Sequence, residues 1–484
     1  MKKYNYLLPM LLAGTSTAFA GSAEEYMDET IGEKPTIQHH MEQSEIEAGN
    51  LHLREIIEHG QLVFDARFNS LDGRGRPATT GGGAPRDPHG QPAFLRTSGP
   101  DANACAGCHN QPASGGAGEF VANVFVLAQT LDPVTESISP EFSNERNTLG
   151  MFGSGAIEML AREMSDELIA IREAAKQEAM TSGESVSKDL TAKGVSFGSI
   201  TVTPEGLVDP TMIEGVDWDL VIKPFHQKGA VVSLREFTNN AMNHHHGIQT
   251  TERFGLDTDP DQDGVMNELS VGDVTAATIY QASLTAPRQV LPKNPVRRQA
   301  AQQGEQLFND VGCNSCHIPM MELSTREFSE PNPYNPAGNL QVEEVSELLT
   351  FDMTRFTKAN SLLKRTPKGS AIRAFTDLKR HNLCDEDYNH FCNEQLTQGS
   401  LVGFASPEDF TVPAEPRPTE VFLTRKLWDV ADSDPYGHRG DLSTMTEAVS
   451  QHGGEARMIR DDFFNLPQED QDKIIEFLKT LGVF

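Results

Sequence analysis

The chain is short of positive charge, of long apolar runs, of tryptophan and of cysteine, and these shortages narrow what it can be. Forty lysines and arginines stand against 70 aspartates and glutamates, a formal charge of −30. A surface this acidic repels the phosphates of nucleic acid and of anionic lipid, so neither is expected as a partner. The acidity suits either attraction of a basic protein or plain solubility, and the sequence leaves both open. Beyond residue 20 nothing approaches the roughly 18 apolar residues that mark a membrane helix, so no membrane span is expected. Tryptophan occurs only as Trp218 and Trp428. Cysteine occurs six times: Cys105 with Cys108, Cys313 with Cys316, and the remaining Cys384 and Cys392.

The first 20 residues read as a cleaved export signal. Lys2 and Lys3 form a basic start, Tyr6 to Ala13 a short apolar run, and Ala18-Phe19-Ala20 a small-x-small cleavage site. The expected location is therefore the periplasm. The mature chain is long enough for two or three domains. In an oxidising compartment Cys384 and Cys392 are expected to close a small disulfide loop, with a metal site or a reactive thiol as the alternatives.

The segment Cys313-Asn314-Ser315-Cys316-His317 places an imidazole directly after two thiols three residues apart. This is the attachment pattern of a c-type haem: on one helical turn both sulfurs reach the vinyl groups and the next ring nitrogen meets the iron. A second copy is Cys105-Ala106-Gly107-Cys108-His109. One box alone fits a stray zinc or redox motif. Two behind an export signal predict two covalent haems, with His109 and His317 as proximal ligands. Gly304-Glu305-Gln306-Leu307-Phe308 before the second box is echoed by Gly60-Gln61-Leu62-Val63-Phe64 before the first.

Apolar spacing predicts a helix over Ile46 to Phe64, one helix or a pair over Ile157 to Ile171, and further helices at Val271 to Leu284 and Ile474 to Leu481. Val195 to Val202 and Asp219 to Ile222 read as β. The Gly/Pro-rich stretches Asp72 to Pro100 and Pro112 to Gly118 read as loop and turn. The resulting organisation is a loose arm at 21–45, an N-terminal haem domain with an α/β insertion at 46–290, and a C-terminal haem domain at 291–484. Asp259-Pro260-Asp261-Gln262-Asp263-Gly264-Val265-Met266-Asn267-Glu268 has calcium-loop spacing. Asp259, Asp261, Asp263, the Val265 carbonyl and Asn267 are its expected ligands, with Glu268 or Asp273 in place of the usual final glutamate. An acidic surface turn is the competing explanation.

What occupies each iron's sixth position decides between electron carrier and catalyst. Pro435-Tyr436-Gly437-His438-Arg439-Gly440, continuing through Thr446-Glu447-Ala448-Val449 to His452, resembles a segment of bacterial dihaem cytochrome c peroxidases and MauG-like enzymes. The ending His452-Gly453-Gly454-Glu455 and the run His244-His245-His246 are similar to the di-haem oxidoreductase (thiol oxidoreductase) family, related to both. The resemblance implies a mainly α protein of two cytochrome c-like domains, with His452 as distal ligand of the second haem. It implies that one of His244, His245 and His246 serves the first. His438 and His381 are candidates for structural places near the second haem. The distal base of related peroxidases follows the first haem near a Glu-Met pair, which here leaves Glu158 and Glu163, unresolved by spacing. Either Trp428 or Trp218 can lie between the haems.

The function this implies is a dihaem oxidoreductase of peroxidase type. Electrons enter at the C-terminal haem from a small donor such as cytochrome c or a cupredoxin, and hydrogen peroxide or another small substrate reacts at the N-terminal haem. The rivals are a MauG-like oxidase of a partner molecule and a dihaem electron carrier with no catalysis.

Overall fold

The computed structural model describes residues 33–74, 102–125, 143–260, 263–355, 363–386 and 400–483; the side chains of 120–125, 143–146 and 244 are not described. The expected signal peptide, the first part of the arm, most of the loop after Asp72, Asp261 and Cys392 lie outside these residues. In chain order the helices are α1 (Gln43–Glu47), α2 (Leu53–Asp65), α3 (Ser154–Ser182), α4 (Leu234–Ala241), α5 (Thr251–Phe254), α6 (Val271–Ala282), α7 (Pro295–Val311), α8 (Met445–Ser450), α9 (Arg457–Asn465) and α10 (Gln468–Leu478). The helix expected over 46–64 is thus two, because Gly49 adopts φ +67° and ends α1. The long α3 resolves the choice at 157–171 in favour of one helix.

Two helix crossings repeat the same design. In α2, His52 caps the first turn and its N–H donates to Glu55 at 2.7 Å; Ile56, Gly60, Val63 and Phe64 are buried. In α7, Asn294 accepts from the Val296 and Arg297 N–H groups, Pro295 opens the helix, and Ala301, Gly304 and Phe308 are buried. Helix α2 packs against α6, and α7 against α10. The glycine in each echoed segment stands at the crossing. A Cβ on Gly60 would lie 1.9 Å from the Ala276 carbonyl oxygen of α6, and one on Gly304 1.8 Å from the Lys473 carbonyl oxygen of α10. The phenylalanine four residues on faces the histidine of its box, with ring centroids 6.4 Å apart in both Phe64–His109 and Phe308–His317. The echo between the two halves is therefore a packing rule. Backbone cannot yield as a side chain does, so Gly60→Ala and Gly304→Ala should each lower unfolding free energy by about 3 kcal/mol or more. Chemical denaturation checks this; a loss below 1 kcal/mol would contradict close packing at that crossing.

Among the described residues the strands form six small sheets: β1 (Gly118–Phe125) with β2 (Ser143–Thr148); β3 (Val186–Ala192), β4 (Val195–Val202) and β5 (Val208–Asp209); β6 (Arg288–Gln289) with β14 (Leu481–Gly482); β7 (Met321–Leu323), β11 (Ser370–Ile372) and β10 (Lys364–Arg365); β8 (Glu327–Glu330) with β9 (Leu349–Asp352); and β12 (Arg380–Asn382) with β13 (Val421–Leu423). The fold is consequently more mixed than the mainly α expectation, and strands occur in both halves. Val195–Val202 is a strand as predicted. Asp219 to Ile222 is not: Leu220 adopts φ +65°, and the Asp219 carboxylate accepts the Val221 N–H at 2.9 Å, a local turn that competes with a ladder. The largest apolar cluster runs from Ile46 to Trp428, across the expected boundary at 290.

Two buried carboxylates tie distant segments together. Asp217 meets Lys223 at 2.5 Å, Arg380 at 2.6 Å and Arg417 at 2.5 Å, joining the inserted region to two later strand-flanking segments. Asp273, in the first turn of α6, contacts His40 and His59, each at 2.6 Å, and accepts the Met41 and Ser270 N–H groups. The segment around His40 is thereby fixed on α2 and α6.

Candidate functional site

Each C-x-x-C-H box opens as a single 3₁₀ turn, Cys105–Gly107 and Cys313–Ser315, and each lines its own cavity. At the first, the glycine-rich turn after the box folds back so that the Gly116 carbonyl lies 3.2 Å from His109 Nδ1; the Leu149 carbonyl lies 3.0 Å from the same nitrogen. At the second, the Phe375 carbonyl lies 3.0 Å from His317 Nδ1. A carbonyl only accepts, so Nδ1 carries the hydrogen in both rings and Nε2 keeps its lone pair. Burial lowers both imidazoles to about 4, which keeps them neutral. These are the tautomer and charge a metal-bound imidazole requires.

The surroundings of Cys105 and Cys313 disfavour a thiolate. Burial raises the Cys105 thiol to about 12 and the Cys313 thiol to about 11. Redox and zinc-binding cysteines work as thiolates and sit where their pKa is depressed. The adjoining cavities, about 190 Å³ at His109 and about 310 Å³ at His317, are mostly apolar. A water needs only about 10–15 Å³ of such space, so they have room for a group far larger than an ion. The residues present fit a covalently held haem in each.

His452 completes the second cavity. Thr444 and Glu447 form a capping box on α8: the Glu447 N–H donates to the Thr444 hydroxyl at 3.1 Å, and the Thr444 N–H to the Glu447 carboxylate at 2.9 Å. The helix ends within a turn, and His452 follows with its Nδ1 on the Ala448 carbonyl at 2.8 Å. Its Nε2 remains, and burial lowers its pKa. The centroids of the His317 and His452 rings are 6.3 Å apart, with the planes at 52°. Two imidazoles bonding one metal from opposite sides through Nε2 would stand about 6.4–6.6 Å apart, taking about 2.0–2.1 Å per bond and about 1.2 Å from ring centre to nitrogen.

Met242–His246 forms a π turn at the end of α4, and His245 and His246 within it have different surroundings. His246 is buried, with Nε2 3.4 Å from Cys105 Sγ and Nδ1 2.9 Å from the Ala102 carbonyl. His245 lines the first cavity and is near enough to His109 to help depress it. The side chain of His244 is not described. His226, Gln227 and Phe237 line the same cavity.

The two candidate bases have other work. Glu158, 1 % exposed, accepts from the Leu234 N–H at 2.8 Å, Asn332 at 2.7 Å and Arg162 at 3.1 Å, and so caps α4. Glu163 accepts from Lys193 at 2.6 Å and from the Ser324 and Thr325 N–H groups at 2.9 and 3.0 Å. Both carboxylates are taken up in holding loops and lie outside the two cavity linings. His381 does line the second cavity, but Asp377 and Glu455 engage both ring nitrogens at 2.9 and 2.8 Å. Burial opposes its charge, yet the Asp377 and Cys316 contacts outweigh this and raise it to about 11. Cys316, Asp377 and His381 form the one metal-like cluster found among the described residues.

The cavities share a wall. Asn147 to Gly150, Gln227, Leu423 to Lys426 and His438 line both. His438 bonds Gln227, and Asn147 ties the wall to the Pro435 carbonyl at 2.6 Å. Trp428 is buried behind the wall against Gly153, and its Nε1 has no partner. Trp218 packs on Phe410 at 5.3 Å in the inserted region. In the acidic loop, Asp259 accepts the Asp263 and Gly264 N–H groups at 3.1 Å, and Asn267 bonds Asp257. The Val265 N–H donates to the Asp263 carboxylate at 2.7 Å, while Glu268 is buried and accepts the Gln249 N–H at 2.6 Å. Cys384 is disulfide-bonded. The wall residues Arg425 and Lys426 were not singled out in the sequence; two cations inside Phe422-Leu423-Thr424 and Leu427-Trp428 were the available signal.

No protein-family profile and no curated protein matches the chain. Among solved structures it is similar to Kuenenia stuttgartiensis hydrazine synthase, at 12 % identity and a TM-score of 0.35, covering 99 % of this chain and 100 % of that one. It is also similar to a MauG-like protein associated with microbial copper homeostasis, at 16 % identity and a TM-score of 0.25, covering 53 % and 68 % respectively. Among the described residues no helix is long and apolar enough to cross a membrane.

Proposed function

We propose that the chain is an exported dihaem c-type oxidoreductase of peroxidase type. Electrons are accepted at the centre built on His317 and His452, and hydrogen peroxide or another small substrate reacts at the centre built on His109. The observation that carries the reading is the His317–His452 pair: two neutral imidazoles facing each other across a hollow that also holds two thiols of an attachment box. Bound haem supplies one-electron redox chemistry and, at an open sixth position, a place for substrate.

The residues divide the remaining work. The Gly116, Leu149 and Phe375 carbonyls hold Nδ1–H and leave Nε2 of His109 and His317 for iron. His452 closes the second centre to outside ligands. Around the first, His245 and His226 are among the lining groups that could hold or pass a proton, the task expected from the sequence of Glu158 or Glu163. Trp428, behind the common wall, is the better placed of the two tryptophans to lie between the centres. The −30 charge suits a small basic donor, a cytochrome c or a cupredoxin. Calcium in the Asp259–Asn267 loop belongs to the same proposal.

Peroxide-dependent oxidation of reduced cytochrome c tests it. Turnover is expected in the wild type, and in Glu158→Gln kcat should stay within about twofold while stability falls by about 1–3 kcal/mol. Peroxide-dependent oxidation of a partner molecule in place of reduced cytochrome c would favour the MauG-like rival, and no turnover with any donor the simple carrier.

A further inference from the structure

The common wall contains more positive charge than the protein around it neutralises. Arg425 and Lys426 both line both cavities. Asp429 is the acidic neighbour of the pair, and its carboxylate already accepts from Lys426 at 2.9 Å. Arg425 feels Asp429 only through its charge, and burial lowers the guanidinium to about 10. Arg425 lines both cavities, so it loses water when they are filled. A buried cation without a bonded anion is costly, and a guanidinium offers five N–H donors in a planar fork suited to carboxylates on more than one edge. The other polar wall residues carry no anionic side chain: Asn147 and Gln227 donate to the Pro435 and Gly437 carbonyls, the Thr424 carbonyl accepts from Thr376, His438 bonds Gln227, and the Asn147 Oδ1 is without a partner.

From this juxtaposition we infer that Arg425 is a carboxylate-binding residue shared by the two centres, pairing with a propionate of the group held in each cavity. The inference rests on the dihaem reading. One cation would then act on both irons: its positive charge disfavours the ferric state at each, and the anion it holds in one cavity screens it in the other. The wall would thus couple the two centres electrostatically as well as separate them.

Spectroelectrochemical titration of the haem-loaded protein tests this. Arg425→Gln should lower both midpoint potentials, and Arg425→Lys, which keeps the charge, should restore them. A shift at one centre only, or at neither, overturns the inference. If the glutamine variant does not fold, resonance Raman spectra of Arg425→Lys decide. A point charge replacing the fork should shift the propionate bending bands of both haems, and unshifted bands at either haem overturn the inference. Haem content of the wild type, measured first by the pyridine haemochrome method, keeps the two ideas apart. Fewer than two haems per chain ends the dihaem reading itself, whereas two haems with potentials indifferent to Arg425 end only the shared-carboxylate inference.

Discussion

His452→Ala should convert one of the two centres from six-coordinate to five-coordinate and open it to small ligands. The imidazole stands 6.3 Å from that of His317, centroid to centroid, and is held by the Ala448 carbonyl on a helix that Thr444 and Glu447 start. The alanine variant keeps that helix and loses only the nitrogen. Axial ligands move haem potentials over about 0.8 V in all, so removing one strong nitrogen donor should raise that centre's midpoint by on the order of 0.1 V. Absorption and paramagnetic-resonance spectra would show a high-spin signal appearing as a low-spin one disappears, and cyanide would bind one more equivalent than in the wild type. Spectra unchanged by the substitution would remove His452 from the iron.

Asp217→Asn should cost about 3–5 kcal/mol of unfolding free energy, because the change leaves Arg380 and Arg417 buried without their bonded anion and Lys223 with Asp219 alone. The pH dependence has a defined sign. Burial alone would raise the Asp217 carboxyl, but Arg380, Lys223 and Arg417 outweigh it and hold the group well below the usual carboxylate range. Its stabilisation is therefore present above the unfolded carboxylate value of about 3.9 and is lost as pH falls through the lower folded value. Urea unfolding of the wild type should weaken along this acid limb, and the asparagine variant should show a shallower one. Equal acid limbs in the two proteins would mean that the knot does not titrate as a unit.

The two cavities were legible in the sequence through the C-x-x-C-H boxes that line them. Covalent haem attachment would require two thiols and an imidazole in one turn, and the capping residues before His452 are a local code. The Gly60 and Gly304 echo was also visible, though its cause, backbone-to-backbone approach of two helices, needs the partner helix to be seen. Long-range pairing was not legible. Nothing near Glu158 in sequence announces Asn332 or the Leu234 N–H, so a helix glutamate beside a methionine reads equally well as catalyst or cap. The same holds for Asp219 to Ile222, where a β-like pattern yields to a side-chain turn, and for the strands after 320, whose short runs carry too little periodicity to stand out. Arg425 belongs to this class: its place between two cavities arises from the junction of segments more than 270 residues apart in number, Asn147 to Gly150 and Leu423 to Lys426.

The central claim is that two haems are held in unlike states, one closed by His317 and His452 and one open beside His109. Paramagnetic-resonance spectroscopy of the purified wild-type protein, with haem content determined on the same sample and spectra taken before and after cyanide, tests it most directly. The account predicts two covalent haems per chain, of which one stays low-spin and indifferent to cyanide while the other binds a single equivalent. A chain without covalent haem, or two low-spin centres that both ignore cyanide and reduction, would contradict it.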